Sequence, residues 1–168
     1  YPDPGKGKTH IALNSFVWDE KRKQYWVATD NYSGLYTLDK DLHYLTPVSF
    51  EHTAGQTNRY FYQLSIDAFN RVWVLHYYYG IYMWDETKKV FVKPIDVIPL
   101  PDSVIKRIGH LKEDKLGNIW MFSGQDFIYW HTRENNCETY PISWDAAYKG
   151  SHNIGKGELK VDPDGNAW

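Results

Sequence analysis

Cysteine is almost absent: Cys137 is the only one in 168 residues. It cannot form an internal disulfide, and one thiol cannot build a zinc site of the paired-cysteine kind. It reads as a small apolar side chain. Charge of one sign is lacking as well. Nineteen Lys and Arg against twenty-one Asp and Glu leave a formal net charge of −2. That excludes the basic surface on which non-specific nucleic-acid binding depends. No apolar run approaches the roughly 18 residues of a membrane span, so no direct membrane insertion is expected. The chain opens at Tyr1 without a Met, and any targeting segment is expected to be missing or removed. It closes on Trp168 directly after the turn-like run Asp162-Pro-Asp-Gly-Asn166. Catalytic motifs are scarce too. Gly7-Lys8-Thr9 resembles the end of a phosphate-binding loop, but Pro2 stands where its first Gly belongs. The seven His form no HExxH set, and no carboxylate pair or nucleophile elbow stands out. No cofactor and no metal are expected.

What the chain has is aromatics. Trp, Tyr and Phe make up 17% of it, which disordered chains do not carry. Their placement is periodic. Trp26, Trp73, Trp120 and Trp168 are 47, 47 and 48 residues apart. Asp19, Asp67, Asp114 and Asp162 keep the same period, each 6 or 7 residues ahead of its Trp. Gly117 and Gly165 follow their Asp by three, and Asn70 takes that place in an earlier copy. Such a residue suits positive φ, while the Asp side chain can bond the turn's backbone N–H groups. Each motif therefore reads as strand, tight turn, strand. The copy beginning at Asp19 is one residue longer and lacks the Gly, so its hairpin is expected to be looser.

Short β-branched and aromatic runs flank each motif. Phe16–Trp18, Phe61–Ile66 and Ile105–Leu111 precede the turns. Leu35–Leu38, Ile81–Trp84 and Phe127–Trp130 follow them, then Leu42–Tyr44, Val90–Val92 and Glu138–Tyr140. These are strand material without helical period. Each unit is four short antiparallel strands in about 47 residues, which matches a β-propeller blade. The expected class is an all-β propeller segment of about three and a half blades. The blades fall at about 10–48, 58–93 and 104–141, with an incomplete one at 153–168. Propellers close with roughly 4–8 blades, so further blades of the same parent chain are the expected partners, and a homodimer is another arrangement. Strand aromatics such as Trp73, Trp120, Tyr82 and Trp84 read as packing between blades.

The pattern Asp-x-x-Gly-x-x-Trp, a short strand, a loop and then Gly-Leu/Ile-x-x-x-Asp resembles the two-component regulator propeller repeat. It stands here as Asp67…Trp73…Gly80-Ile81…Asp85, Asp114…Gly117…Trp120 and Asp162…Gly165…Trp168. The first copy keeps Trp26, Thr29, Gly34, Leu35 and Asp39. The family's Gly-Thr after Trp is replaced by Ala28-Thr29, Leu75-His76 and Phe122-Ser123. The resemblance implies the periplasmic sensor region of a hybrid two-component histidine kinase, which perceives a small-molecule or oligosaccharide ligand and signals through a phosphorelay. The chain itself would not be an enzyme. Two alternatives stand beside this: a secreted propeller glycosidase or lyase, for which His76, Asp126 and Asp145 could serve, and a protein-binding scaffold. Trp-Asp propellers fit less well, because Trp18-Asp19, Trp84-Asp85 and Trp144-Asp145 do not keep the period.

With the strands of a blade labelled A to D from axis to rim, the Asp turns join A to B. The B–C and D–A loops then share the opposite face. They vary in length and composition, as binding loops do. Aromatic side chains can stack on a sugar face while amides and charges bond its hydroxyls. The candidate ligand-binding residues are Asn31, Tyr32, Arg59, Tyr60, His76, Tyr77, Tyr78 and Trp144.

Overall fold

The computed structural model describes residues 13–29, 34–51, 60–142 and 159–167. Their regular structure is almost entirely three four-stranded antiparallel sheets. The first runs β1 (Leu13–Asp19), β2 (Gln24–Thr29), β3 (Leu35–Asp39) and β4 (Leu45–Val48). The second runs β5 (Phe61–Ile66), β6 (Val72–His76), β7 (Gly80–Asp85) and β8 (Val90–Val92). The third runs β9 (His110–Glu113), β10 (Ile119–Phe122), β11 (Asp126–His131) and β12 (Asn136–Pro141). A single turn of helix, α1 (Asp102–Ile105), lies between the second and third sheets in sequence. A bridge between Val161 and Ala167 marks a fourth hairpin. Each sheet keeps sequence order from inner to outer strand, the meander of a propeller blade.

The Asp–Trp register has a direct cause. The Asp67 carboxylate accepts from the Phe69 and Arg71 backbone N–H groups at 3.0 and 2.9 Å. Its other oxygen accepts from the Trp73 indole N–H at 2.8 Å. Asp19 does the same for Trp26 at 2.7 Å. The Asp must sit at the head of the turn and the Trp on the second strand for one carboxylate to reach both. Asn70, Gly117 and Gly165 adopt φ of 59°, 83° and 90°, as a positive-φ turn residue must. The longer first hairpin is not loose. Lys23 takes the positive φ, and Arg22 bonds Asp19 through both its backbone N–H and its guanidinium at 3.0 and 2.6 Å.

Inner strands are knitted to one another at the blade period. Asn14 donates to the Phe61 carbonyl at 2.8 Å, and Leu64 N–H donates to Ser15 Oγ at 2.9 Å. Gln63 donates to the Leu111 carbonyl at 2.8 Å, and Tyr62 to that of Gly109. Two cores fill the spaces between sheets. Trp26, Leu64, Val74, Tyr82 and Phe91 belong to the first. Trp73, Ile119, Met121, Ile128 and Trp130 belong to the second. In both, a Trp from the third strand of one blade sits edge-on to the motif Trp of the blade before: Trp84 on Trp26 at 4.8 Å, Trp130 on Trp73 at 6.0 Å. Cys137 packs against the second core, and burial pushes its thiol up to about 11.

Two local features differ from the sequence expectations, and two more were not anticipated. Ile105 ends α1 instead of opening a strand, because Pro101 carbonyl bonds start a helical turn and β9 begins only at His110. Leu42 adopts φ 60°, and Asp39 accepts from the His43 and Tyr44 N–H groups at 2.7 Å. Leu42–Tyr44 is therefore turn, and the outer strand starts at Leu45. Its Pro47 is tolerated because β4 lies at the sheet edge. Trp120 leaves Asp114 to Tyr129, whose hydroxyl donates to it at 2.6 Å, and itself donates to the Gly165 carbonyl at 2.9 Å. Beyond β4 the chain crosses to the next blade, where Phe50 bridges Phe91 in parallel.

Candidate functional site

In the second and third blades, the loop joining the second to the third strand lies beside the segment that leads into the blade. Phe61 pairs with His76 at the mouth of the second blade, and Tyr77 N–H donates to the Tyr60 carbonyl at 3.0 Å. In the third blade Gly109 N–H bonds the Phe122 carbonyl at 2.8 Å, and Arg107 donates to the Gln125 side chain at 3.0 Å.

Tyr77 and Tyr78 stand out from the loop of the second blade, 53% and 60% exposed. Single exposed aromatics are ordinary, whereas a contiguous exposed apolar patch marks an interaction site. These two tyrosines are not scattered. Tyr77 lies 5.4 Å from Tyr60 and 4.9 Å from Tyr78, both edge-on, and 6.4 Å from Tyr62. Tyr62 is tied down through Gly109, and burial, helped by Tyr77, raises its phenol. The result is an aromatic ridge with one fixed edge and an exposed crest.

His76 has another place. It is 1% exposed, with its ring among Phe61, Phe50, Tyr79 and Tyr82. Its Nδ1 accepts the Tyr78 N–H at 3.0 Å. It holds the turn that presents the two tyrosines, and its side chain does not face solvent as a ligand contact would. The burial of β6 explains this: every residue from Val72 to His76 is buried, so the strand is core on both faces.

Lys93 is the residue that sequence reasoning missed. Its ammonium donates to the Tyr79 and Ile81 carbonyls and lies 3.9 Å from the Tyr82 ring centroid. Burial lowers it to about 8, with Asp102 working against that and Lys106 with it. It clamps the far side of the Tyr77–Tyr79 turn. Only the approach of the chain after β8 brings it there, and no motif marks it. Gly80 completes the turn at φ 72°, and a Cβ there would collide with the Ile105 carbonyl. In the third blade, Asp126 pairs with Ser123, whose Oγ lies 3.3 Å from its carboxylate.

Of the eight candidates, His76, Tyr77 and Tyr78 share one turn, and Tyr60, just ahead of β5, meets it. Asn31, Tyr32, Arg59 and Trp144 lie outside the described residues, as does Asp145. Among the described residues, no three His, Cys, Asp or Glu side chains gather as a metal site would require, and no helix is long and apolar enough to cross a membrane.

No protein-family model matches the chain, and no curated protein matches it in sequence. Solved structures do match. An extracellular domain assigned to a hybrid two-component system of B. thetaiotaomicron superposes with TM-score 0.63 at 14% identity, over 94% of this chain and 20% of its own. A second such domain from the same organism gives 0.59 at 15% identity, over 89% and 19%. A catalytically inactive virginiamycin B lyase from Staphylococcus aureus, solved with quinupristin, gives 0.58 at 14% identity, over 97% and 50%. At these identities the likeness is one of fold, and the fold is that of β-propeller blades. The chain spans about a fifth of the length of the two-component domains.

Proposed function

We propose that this chain is part of an extracytoplasmic, ligand-recognising propeller in a signal-transduction receptor. The parent is of the hybrid two-component histidine kinase kind, and its remaining blades complete the ring. The reading rests first on the exposed Tyr77–Tyr78 crest, held from below by His76 and from the side by Lys93. A rigid turn that spends two large aromatics on solvent is built to meet something flat and partly apolar. An oligosaccharide face has that character, and the neighbouring Tyr60 broadens the surface. The likeness to extracellular domains of two-component systems supports the sensor reading. It also supports a periplasmic location. The chain itself is proposed to be non-catalytic. His76 is bonded within the turn, and Asp126 pairs with Ser123.

The test is a Tyr77→Ala/Tyr78→Ala variant of the full-length receptor, assayed by reporter output against a panel of oligosaccharides. The expected result is a loss of response of about tenfold or more with unchanged melting temperature. A response equal to wild type would remove this face from recognition.

A further inference from the structure

A cleft of about 560 Å³ lies between the first and second sheets, at the end opposite the tyrosine crest. Its origin can be read from the register. In the second blade the motif Trp73 pairs across strands with Met83, and Met83 with Val92. In the first blade the same row is Trp26, Thr37 and Thr46. Two hydroxyl side chains occupy the positions that the next blade fills with a thioether and an isopropyl group. They are too short to reach the opposite sheet, and the space stays open.

The lining is chemically specific. Gln24 and Thr37, half-buried, and Thr46 and Ser49, exposed, all line the cleft and make no side-chain hydrogen bond to another described residue. Trp84 supplies a flat wall, and its indole N–H points toward Glu86 without completing a bond. The charges at the rim cancel. Arg22 pairs with Asp19 and Glu86, and Lys89 with Glu86 at 3.0 Å. A site with unspent amide and hydroxyl groups, an aromatic wall and balanced charge suits a neutral hydroxyl-rich molecule. We infer that this cleft binds a neutral mono- or disaccharide, at a site separate from the tyrosine crest.

The test uses the full chain titrated calorimetrically with glucose, galactose, arabinose, maltose, cellobiose and xylobiose, and with glucuronate as the charged control. Thr37→Met/Thr46→Val installs the second blade's own row in the cleft. Binding of at least one neutral sugar is expected, weakened about tenfold or more in that variant and unchanged in Tyr77→Ala/Tyr78→Ala. Thr46→Ala, which opens the cleft further while removing one hydroxyl, is expected to weaken binding less than the filled variant. No binding by any neutral sugar, or a preference for glucuronate, would overturn the inference. So would binding that survives the filled cleft, or binding lost only with the tyrosines. That last result would leave the crest as the recognition face.

Discussion

Between the second and third sheets, Trp73 and Met83 meet Trp130 in a filled core, with the Arg71 guanidinium 4.7 Å from the Trp130 ring centroid. Between the first and second, Trp26 meets Trp84 in the same geometry, but Thr37 and Thr46 replace the apolar row. The arginines differ too. Arg22 reaches across to Glu86 at 2.5 Å, whereas the Arg71 Nη2 is buried without a partner. Burial raises the Glu86 carboxyl, yet the groups around it, Lys89, Trp84 and Arg22, win and bring it to about 2. Both interfaces hold an apolar core, and the first adds a polar cleft at one end of the same frame. A repeat therefore fixes where side chains go, and each copy remains free to choose what they do.

That comparison can be broken in several ways. The largest effect is expected at the turn carboxylate. Asp67→Ala strips acceptors from Trp73, Arg71 and two backbone groups, and should cost about 2–4 kcal/mol by urea unfolding. Asp114→Ala should cost about 1 kcal/mol, a turn-cap loss, because Trp120 bonds Gly165 instead. Equal losses at the two sites would refute the claim that the third blade departs from the pair. Gly80→Ala forces a side chain against the Ile105 carbonyl at positive φ, and about 1–3 kcal/mol of destabilisation is expected. Its measurement is thermal unfolding, where about 2–4 °C per kcal/mol applies at this size. The smallest effect is in pH. Burial raises the Asp19 carboxyl, but the Trp26 and Arg22 bonds outweigh it, so the folded value lies below 3.8. Its stabilisation is whole above the unfolded value and fades as pH falls through the folded one. The stability gap between wild type and Asp19→Asn should therefore narrow below about pH 4. A gap constant down to pH 2 would contradict the charge assignment.

Much of this was legible in the chain itself. The 47-residue spacing of Asp and Trp gave the blades, since one carboxylate serves both turn and indole and neither residue can drift. Asn70 in place of Gly was readable because positive φ tolerates few residues. Three things were not readable. His76 looks like an exposed loop residue until β6 is seen to be buried on both faces. Lys93 gains its role only because the chain after β8 folds back on the turn. Trp120 shares the period of Trp26 and Trp73, yet its indole follows Gly165, a contact 45 residues away. Each depends on tertiary packing, which local pattern does not encode. The cleft lies between these cases. The Thr37 and Thr46 row is visible in the sequence, but its meaning appears only when the pairing register sets it beside Met83 and Val92.

The most direct measurement of that equivalence is a reciprocal exchange followed by thermal unfolding. Met83→Thr/Val92→Thr opens the second interface and should lower the melting temperature by several degrees, from a loss of about 1–3 kcal/mol. Thr37→Met/Thr46→Val fills the first and should hold or raise it. If the two exchanges destabilise the protein alike, the rows are not equivalent, and the cleft is not an opened version of the core beside it.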